Sequence, residues 1–129
     1  MALHARAAPR YLAPGQPTLD LDEHATEEMA ATYAMPFPYE RKPQVPKRIH
    51  DVQRNASVPM SALIATQRGV TKRGVDKYLS KRTLARPIVY LAADGRAWIA
   101  DGHHRAVAAW ARGGDTLAAR VVDVPDEYI

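Results

Sequence analysis

Asp101-Gly102-His103-His104-Arg105 is the stretch on which the reading of this chain turns. It lies between a short apolar run, Ala97-Trp98-Ile99-Ala100, and an alanine-rich run over residues 106–112. A strand, a tight glycine turn and a helix start, in that order, leave unpaired backbone N–H groups pointing out of the turn. The start of a helix carries partial positive charge, so anions collect there. Arg105, in the first helical turn, adds a fixed charge and a planar fork that matches phosphate. Two imidazoles stand beside it. Acid, base, cation and helix dipole converge nowhere else in the sequence.

Working outward, Asp94-Gly95 reads as a hairpin turn between residues 88–91 and 97–100, both short apolar runs of strand length. Gly113-Gly114 stops the helix that begins at His103. Residues 117–124 read as a closing strand before Pro125. Upstream, Val75, Tyr78, Leu79 and Arg82 recur at helical spacing, which predicts a helix over 75–84 with a basic outer face. Val58-Pro59-Met60 reads as a short strand, Ser61 as the cap of a short helix through Ile64, and Thr66-Gln67-Arg68-Gly69 as a polar loop. On the last helix, Val107, Trp110 and Ala111 form the expected core stripe, with His103 one turn earlier. Arg105, Ala108 and Arg112 fall on the opposite side. The fold class is α/β (α+β): a small mixed sheet with two or three helices.

These pieces resemble the ParB/sulfiredoxin-like superfamily, in which a strand runs into a Gly-x-x-Arg helix start. Val58 to Arg68 is similar to the family's opening strand, short helix and Gln-Pro-Arg-type segment. Arg86-Pro87-Ile88-Val89-Tyr90 resembles its Pro-Ile-x-Val strand, and residues 101–110 its glycine–arginine helix. The resemblance covers roughly residues 49–125. It implies a phosphate-containing ligand, a nucleotide with Mg2+ or DNA, at Gly102, His103, His104 and Arg105. It also brings Thr66, Gln67 and Arg68 to the same pocket. Sulfiredoxin chemistry is excluded, because the chain has no cysteine and His103 stands at the matching position. The helix-turn-helix domain of chromosome-partition proteins is not expected here. The stretch Leu63-Ile64-Ala65-Thr66-Gln67 also resembles segments of bacteriophage head and morphogenesis proteins. That likeness implies a second function: a non-catalytic assembly module.

Charge is unevenly spread around the net +4. Residues 1–40 sum to −4, residues 41–86 to +10 and residues 87–129 to −2. So basic a middle segment points either to a polyanionic partner or to a solvated basic face. Lys72, Arg73, Lys77, Lys81 and Arg82 are its candidate nucleic-acid contacts. The missing cysteines also exclude disulfides and thiolate metal sites.

Seven of the ten prolines precede residue 47, so residues 1–48 read as an irregular arm and residues 49–129 as the domain. One short helix is expected over residues 22–33. The arm is expected to lie on a protein partner, a capsid surface or a second copy, and to add little to the domain's stability. No apolar run approaches the ~20 residues of a membrane span, and no signal peptide is evident. The expected location is therefore the cytoplasm of a cell or host, or a virion.

Each candidate has a structural alternative. Asp101 is a helix N-cap, a catalytic carboxylate, or both. Gly102 permits an unusual backbone conformation and close approach of a ligand. His103 is a packed histidine or a phosphate ligand. His104 is a general base, a phosphate ligand or a solvated side chain. Adjacent helical histidines diverge by about 100°, so they do not share a metal, and no metal site is expected. Arg105 is the leading phosphate ligand. Any catalysis, whether nuclease or phosphotransfer, would fall to Asp101 and His104.

Overall fold

The computed structural model describes residues 8–16 and 31–129. The described elements are β1 (Thr32–Tyr33), α1 (Lys47–His50), β2 (Arg54–Pro59), β3 (Leu63–Ile64), β4 (Val70–Thr71), α2 (Lys72–Leu79), β5 (Ile88–Ala92), β6 (Ala97–Asp101), α3 (His103–Ala111) and β7 (Thr116–Val124). The fold is α+β. A five-stranded mixed sheet runs in the order β2-β7-β5-β6-β3, and β1 with β4 forms a two-stranded ribbon. β5 pairs antiparallel with β6 across the expected Asp94-Gly95 turn and parallel with β7.

Period-two alternation sends neighbouring side chains to opposite faces of the sheet. Val89, Ala97, Ile99, Leu117, Ala119 and Val121 meet the helices in one buried cluster. Tyr90, Ala92, Trp98, Val122 and Val124 form a second cluster on the other face, closed by Val45, Ile49 and Tyr128. Both faces are therefore covered, which is why β5 to β7 read as near-continuous apolar runs.

Three expectations change. The helix expected from Ser61 to Ile64 is a single 3₁₀ turn, Met60–Ala62, followed by β3, because Leu63 and Ile64 bury on opposite faces of the sheet beside β6. The helix expected over 75–84 starts earlier and ends at Leu79: Thr71 caps it, its Oγ1 accepting from the Gly74 N–H at 3.1 Å. The side of α3 that carries Ala108 and Arg112 is not an outer face. α2 packs on it, and Ala108 is fully buried. The helix expected over residues 22–33 lies outside the described residues except at its end, where Thr32–Tyr33 is a strand.

Composition divides at residue 48; packing does not divide there. Phe37 is 5% exposed and sits in the main core, with Leu12, Tyr33 and Met35 packed beside it. The Ala65 N–H donates to Pro38 O at 2.7 Å and the Glu40 N–H to Ala65 O at 2.9 Å, which covers the edge beyond β3. The Arg10 N–H donates to Ala111 O at 2.7 Å. The described arm thus lies on its own domain. A proline-rich segment lacks regular ladders, but its apolar side chains still bury, and composition alone hides that. No helix among the described residues is long and apolar enough to cross a membrane.

Candidate functional site

β6 delivers Asp101 to an exposed position at the sheet end, and Gly102 turns the chain into α3. Gly102 adopts φ 93° and ψ 33°, a left-handed conformation that disfavours side chains. A Cβ there would also stand 2.9 Å from the Pro87 side chain. The close approach that requires glycine is thus to Pro87 of the preceding strand entry. Gly102, rather than Asp101, occupies the N-cap position, and no side chain among the described residues caps the helix. A helix start of this kind carries partial positive charge at its first-turn N–H groups.

Around this helix start lies a cavity of about 330 Å³ lined by Thr66, Gln67, Asp101, Gly102, His103, His104 and Arg105. Lys42, Tyr78 and Ala100 complete it. Sequence reasoning assembled most of this set and missed Lys42 and Tyr78. Lys42 comes from the arm, whose proximity only folding reveals. Tyr78 enters the sequence reading only through its helical spacing; its half-buried ring packs on the core and also lines the cavity.

His103 is buried, at 5% exposure. Its Nε2 accepts from the Thr66 backbone N–H at 2.9 Å, and Thr66 Oγ1 donates to Ile99 O at 2.6 Å. An accepting Nε2 leaves the proton on Nδ1. Burial pushes the His103 pKa down to about 4, helped by His104 and Lys42 and opposed by Asp101. His103 is therefore neutral at pH 7, a strut between the 66–69 loop and α3.

His104 is half-buried, and burial lowers its pKa as well. Its Nε2 lies 3.3 Å from both the Thr71 N–H and Thr71 Oγ1. Gly74 makes this possible: a Cβ there would stand 2.3 Å from the imidazole. The helix-start histidines thus fasten two different segments, each through an accepting nitrogen.

Arg105 lies 5.4 Å from the centre of the Tyr78 ring, and its buried Nε has no hydrogen-bond partner among the described residues. Lys77 and Lys81 flank the same ring at 5.4 and 5.0 Å. Two cations, Arg105 and Lys42, line this cavity against the single carboxylate Asp101, and Lys77 and Lys81 stand at the Tyr78 ring that borders it. Arg68 leaves the cavity lining and lies over the Tyr39 ring at 4.4 Å. Lys72 is also diverted: it pairs with Asp76 at 2.8 Å, and the Tyr33 hydroxyl donates to the other Asp76 oxygen at 2.6 Å. Arg73 and Arg82 are exposed. No group of three or more metal-binding side chains occurs among the described residues.

No protein-family model matches the chain, and no curated protein matches it. Among solved structures it is similar to the C-terminally truncated chromosome-partitioning protein ParB from Caulobacter crescentus, complexed with CTP-gamma-S. The identity is 20%, the TM-score is 0.43, and the match covers 57% of this chain and 47% of that one.

Proposed function

We propose that this protein is a ParB-like nucleotide- or nucleic-acid-binding module whose phosphate site is the start of α3. The observation that carries it is Arg105: a guanidinium whose Nε has no partner among the described residues, at an uncapped helix start and lining the same cavity as Lys42. A phosphate would satisfy the arginine and the free first-turn N–H groups together. Thr66 and Gln67 border the same space and supply neutral polar contacts.

The reading is binding rather than nuclease or phosphotransfer chemistry. Both Nε2 atoms already accept hydrogen bonds from backbone N–H groups, so His104 donates through Nδ1 more readily than it takes a proton. Asp101 is the one free carboxylate in the lining. One carboxylate without a second ligand is a poor magnesium site, so any metal enters with the nucleotide's own phosphates.

Calorimetric titration with nucleoside triphosphates, with and without magnesium, tests the reading. Saturable binding that Arg105→Ala abolishes or weakens supports it. A parent protein that binds neither triphosphates nor DNA at low salt sinks it.

A further inference from the structure

Two cation-bearing tyrosines flank the phosphate cavity, and the phosphate contact alone leaves both without a role. Tyr78 borders the cavity with Arg105, Lys77 and Lys81 gathered around its ring at 5.0–5.4 Å. On the other side, Gln67 lines the cavity and Arg68, the next residue, lies over the Tyr39 ring. Tyr39 is 41% exposed and stands three residues before Lys42, itself a lining residue. Tyr39 also bridges to Ala65, the neighbour of the lining residue Thr66, and three extended residues span at most about 11 Å, which keeps its backbone near the cavity.

We propose that the surface from Tyr78 across the cavity to Tyr39 is a track for a single-stranded nucleic acid. Bases stack on the two tyrosine platforms, and backbone phosphates meet Arg105, Lys42, Lys77 and Lys81. The proposal rests on the phosphate reading above and names its ligand class.

The physical case is the pairing of rings with cations. Every base has a π-face, so an exposed aromatic beside a positive groove holds any unstacked strand. The Arg68 plane extends the Tyr39 platform, because a guanidinium stacks on bases as a ring does. A duplex keeps its base faces inside the stack and would find only the lysines useful. His103 is neutral at pH 7, so the attraction comes from the lysine and arginine side chains. Lys72 is excluded from the track by its pairing with Asp76.

The test is fluorescence anisotropy on the full chain. The probes are labelled single strands of about 12 nucleotides, within the usual site size, as DNA and as RNA. A duplex of equal length and a nucleoside triphosphate are the comparisons. Both single strands should bind at least about tenfold tighter than the duplex, the margin expected when stacking contributes. A preference for RNA would assign 2′-hydroxyl contacts, and equal binding would confine the contacts to bases and phosphates; either outcome supports a single-strand track. Tyr39→Ala and Tyr78→Leu should each weaken strand binding roughly 5- to 100-fold, while Tyr39→Phe and Tyr78→Phe retain it. Replacing Lys77 and Lys81 by Gln should flatten the logarithmic salt dependence by about 0.7 for each lost phosphate contact. Because the Tyr78 ring also packs on the core, a thermal melt accompanies each variant; if Tyr78→Leu unfolds, Tyr39→Ala decides the matter. Duplex binding as tight as single-strand binding overturns the proposal, as does Tyr39→Ala binding strand like the parent. A triphosphate that binds while the strand binds no tighter sinks the track alone. Failure of every phosphate-bearing probe sinks the phosphate reading with it.

Discussion

Arg105 and Arg112 stand two helical turns apart on the same side of α3, and both reach toward α2. Arg112 donates to the carbonyls of Tyr78, Leu79 and Lys81, which closes the C-terminal end of α2. Arg105 reaches the Tyr78 ring instead, and its Nε has no partner among the described residues. One arginine thus holds the backbone of Tyr78 while the other lies against its ring. The two ends of α3 repeat the contrast. At the C-terminal end, Arg10 donates to Trp110 O and Gly114 O at 2.7 Å each, and Gly113 turns the chain at φ 89°. At the N-terminal end no side chain among the described residues caps the helix, and a cavity opens. Where carbonyls gather, the protein's own cations satisfy them; where N–H groups gather, no side chain among the described residues caps them. That asymmetry locates the ligand site better than the identity of any single residue.

The largest disruption of this contrast should come from removing residues 1–48. The truncation loses Arg10 from the closed end of α3, Lys42 from the open end and Phe37 from the core. Loss of a buried Phe alone costs about 3–5 kcal/mol, comparable to the lower range of a domain's total stability. The fragment should therefore melt far below the full chain or without cooperativity, the reverse of what the arm's composition suggests. A melt close to the parent's would show that the arm's contacts are incidental.

Gly102→Val attacks the open end directly. The positive φ and the 2.9 Å approach to Pro87 should together cost about 3 kcal/mol or more of stability, and ligand binding should fall as well. Denaturant unfolding with a binding titration measures both effects.

Arg112→Ala should lower stability by about 2–3 kcal/mol by stripping charged donors from three carbonyls, with phosphate affinity nearly unchanged. Arg105→Ala should do the opposite. Its effect should be a loss of about 1.5–3 kcal/mol in phosphate or nucleotide binding, with little change in the melt. Arg105→Lys keeps the charge without the fork and should fall between parent and alanine. If the two alanine variants behaved alike, the division of labour between the arginines would be wrong.

The last effect is confined to acid pH and concerns His103. Its folded pKa of about 4 lies below the ordinary 6.5, so the unfolded chain binds the proton more readily. The stability contributed by its neutral form is fully present above pH 6.5 and is lost as pH falls toward 4. The loss over that window should be roughly 2–3 kcal/mol. His103→Gln retains an acceptor for the Thr66 N–H but does not titrate, so it should flatten the stability profile there. An unchanged profile would mean that the imidazole is not the titrating strut.

Local rules made much of the molecule legible from its sequence. Alternating and continuous apolar runs marked β5, β6 and β7; Asp94-Gly95 marked the hairpin, and Gly113-Gly114 ended α3. These signals act within a few residues, so short-range sterics and hydrogen bonding suffice to specify them. The same logic placed Gly102 and Arg105 at a helix start and made an anion site the natural reading. Thr66 and Gln67 reached that site through the resemblance. Only the tertiary structure decided what each polar group is paired with. It turned His103 and His104 into struts, paired Lys72 with Asp76, set Arg68 on Tyr39 and brought Lys42 from the arm. It also buried Phe37 from a segment whose prolines suggested independence. The physical reason is range. A hydrogen bond or an apolar contact forms with whatever the fold brings near, and for residues 37, 42, 66 and 71 those partners lie far away in sequence.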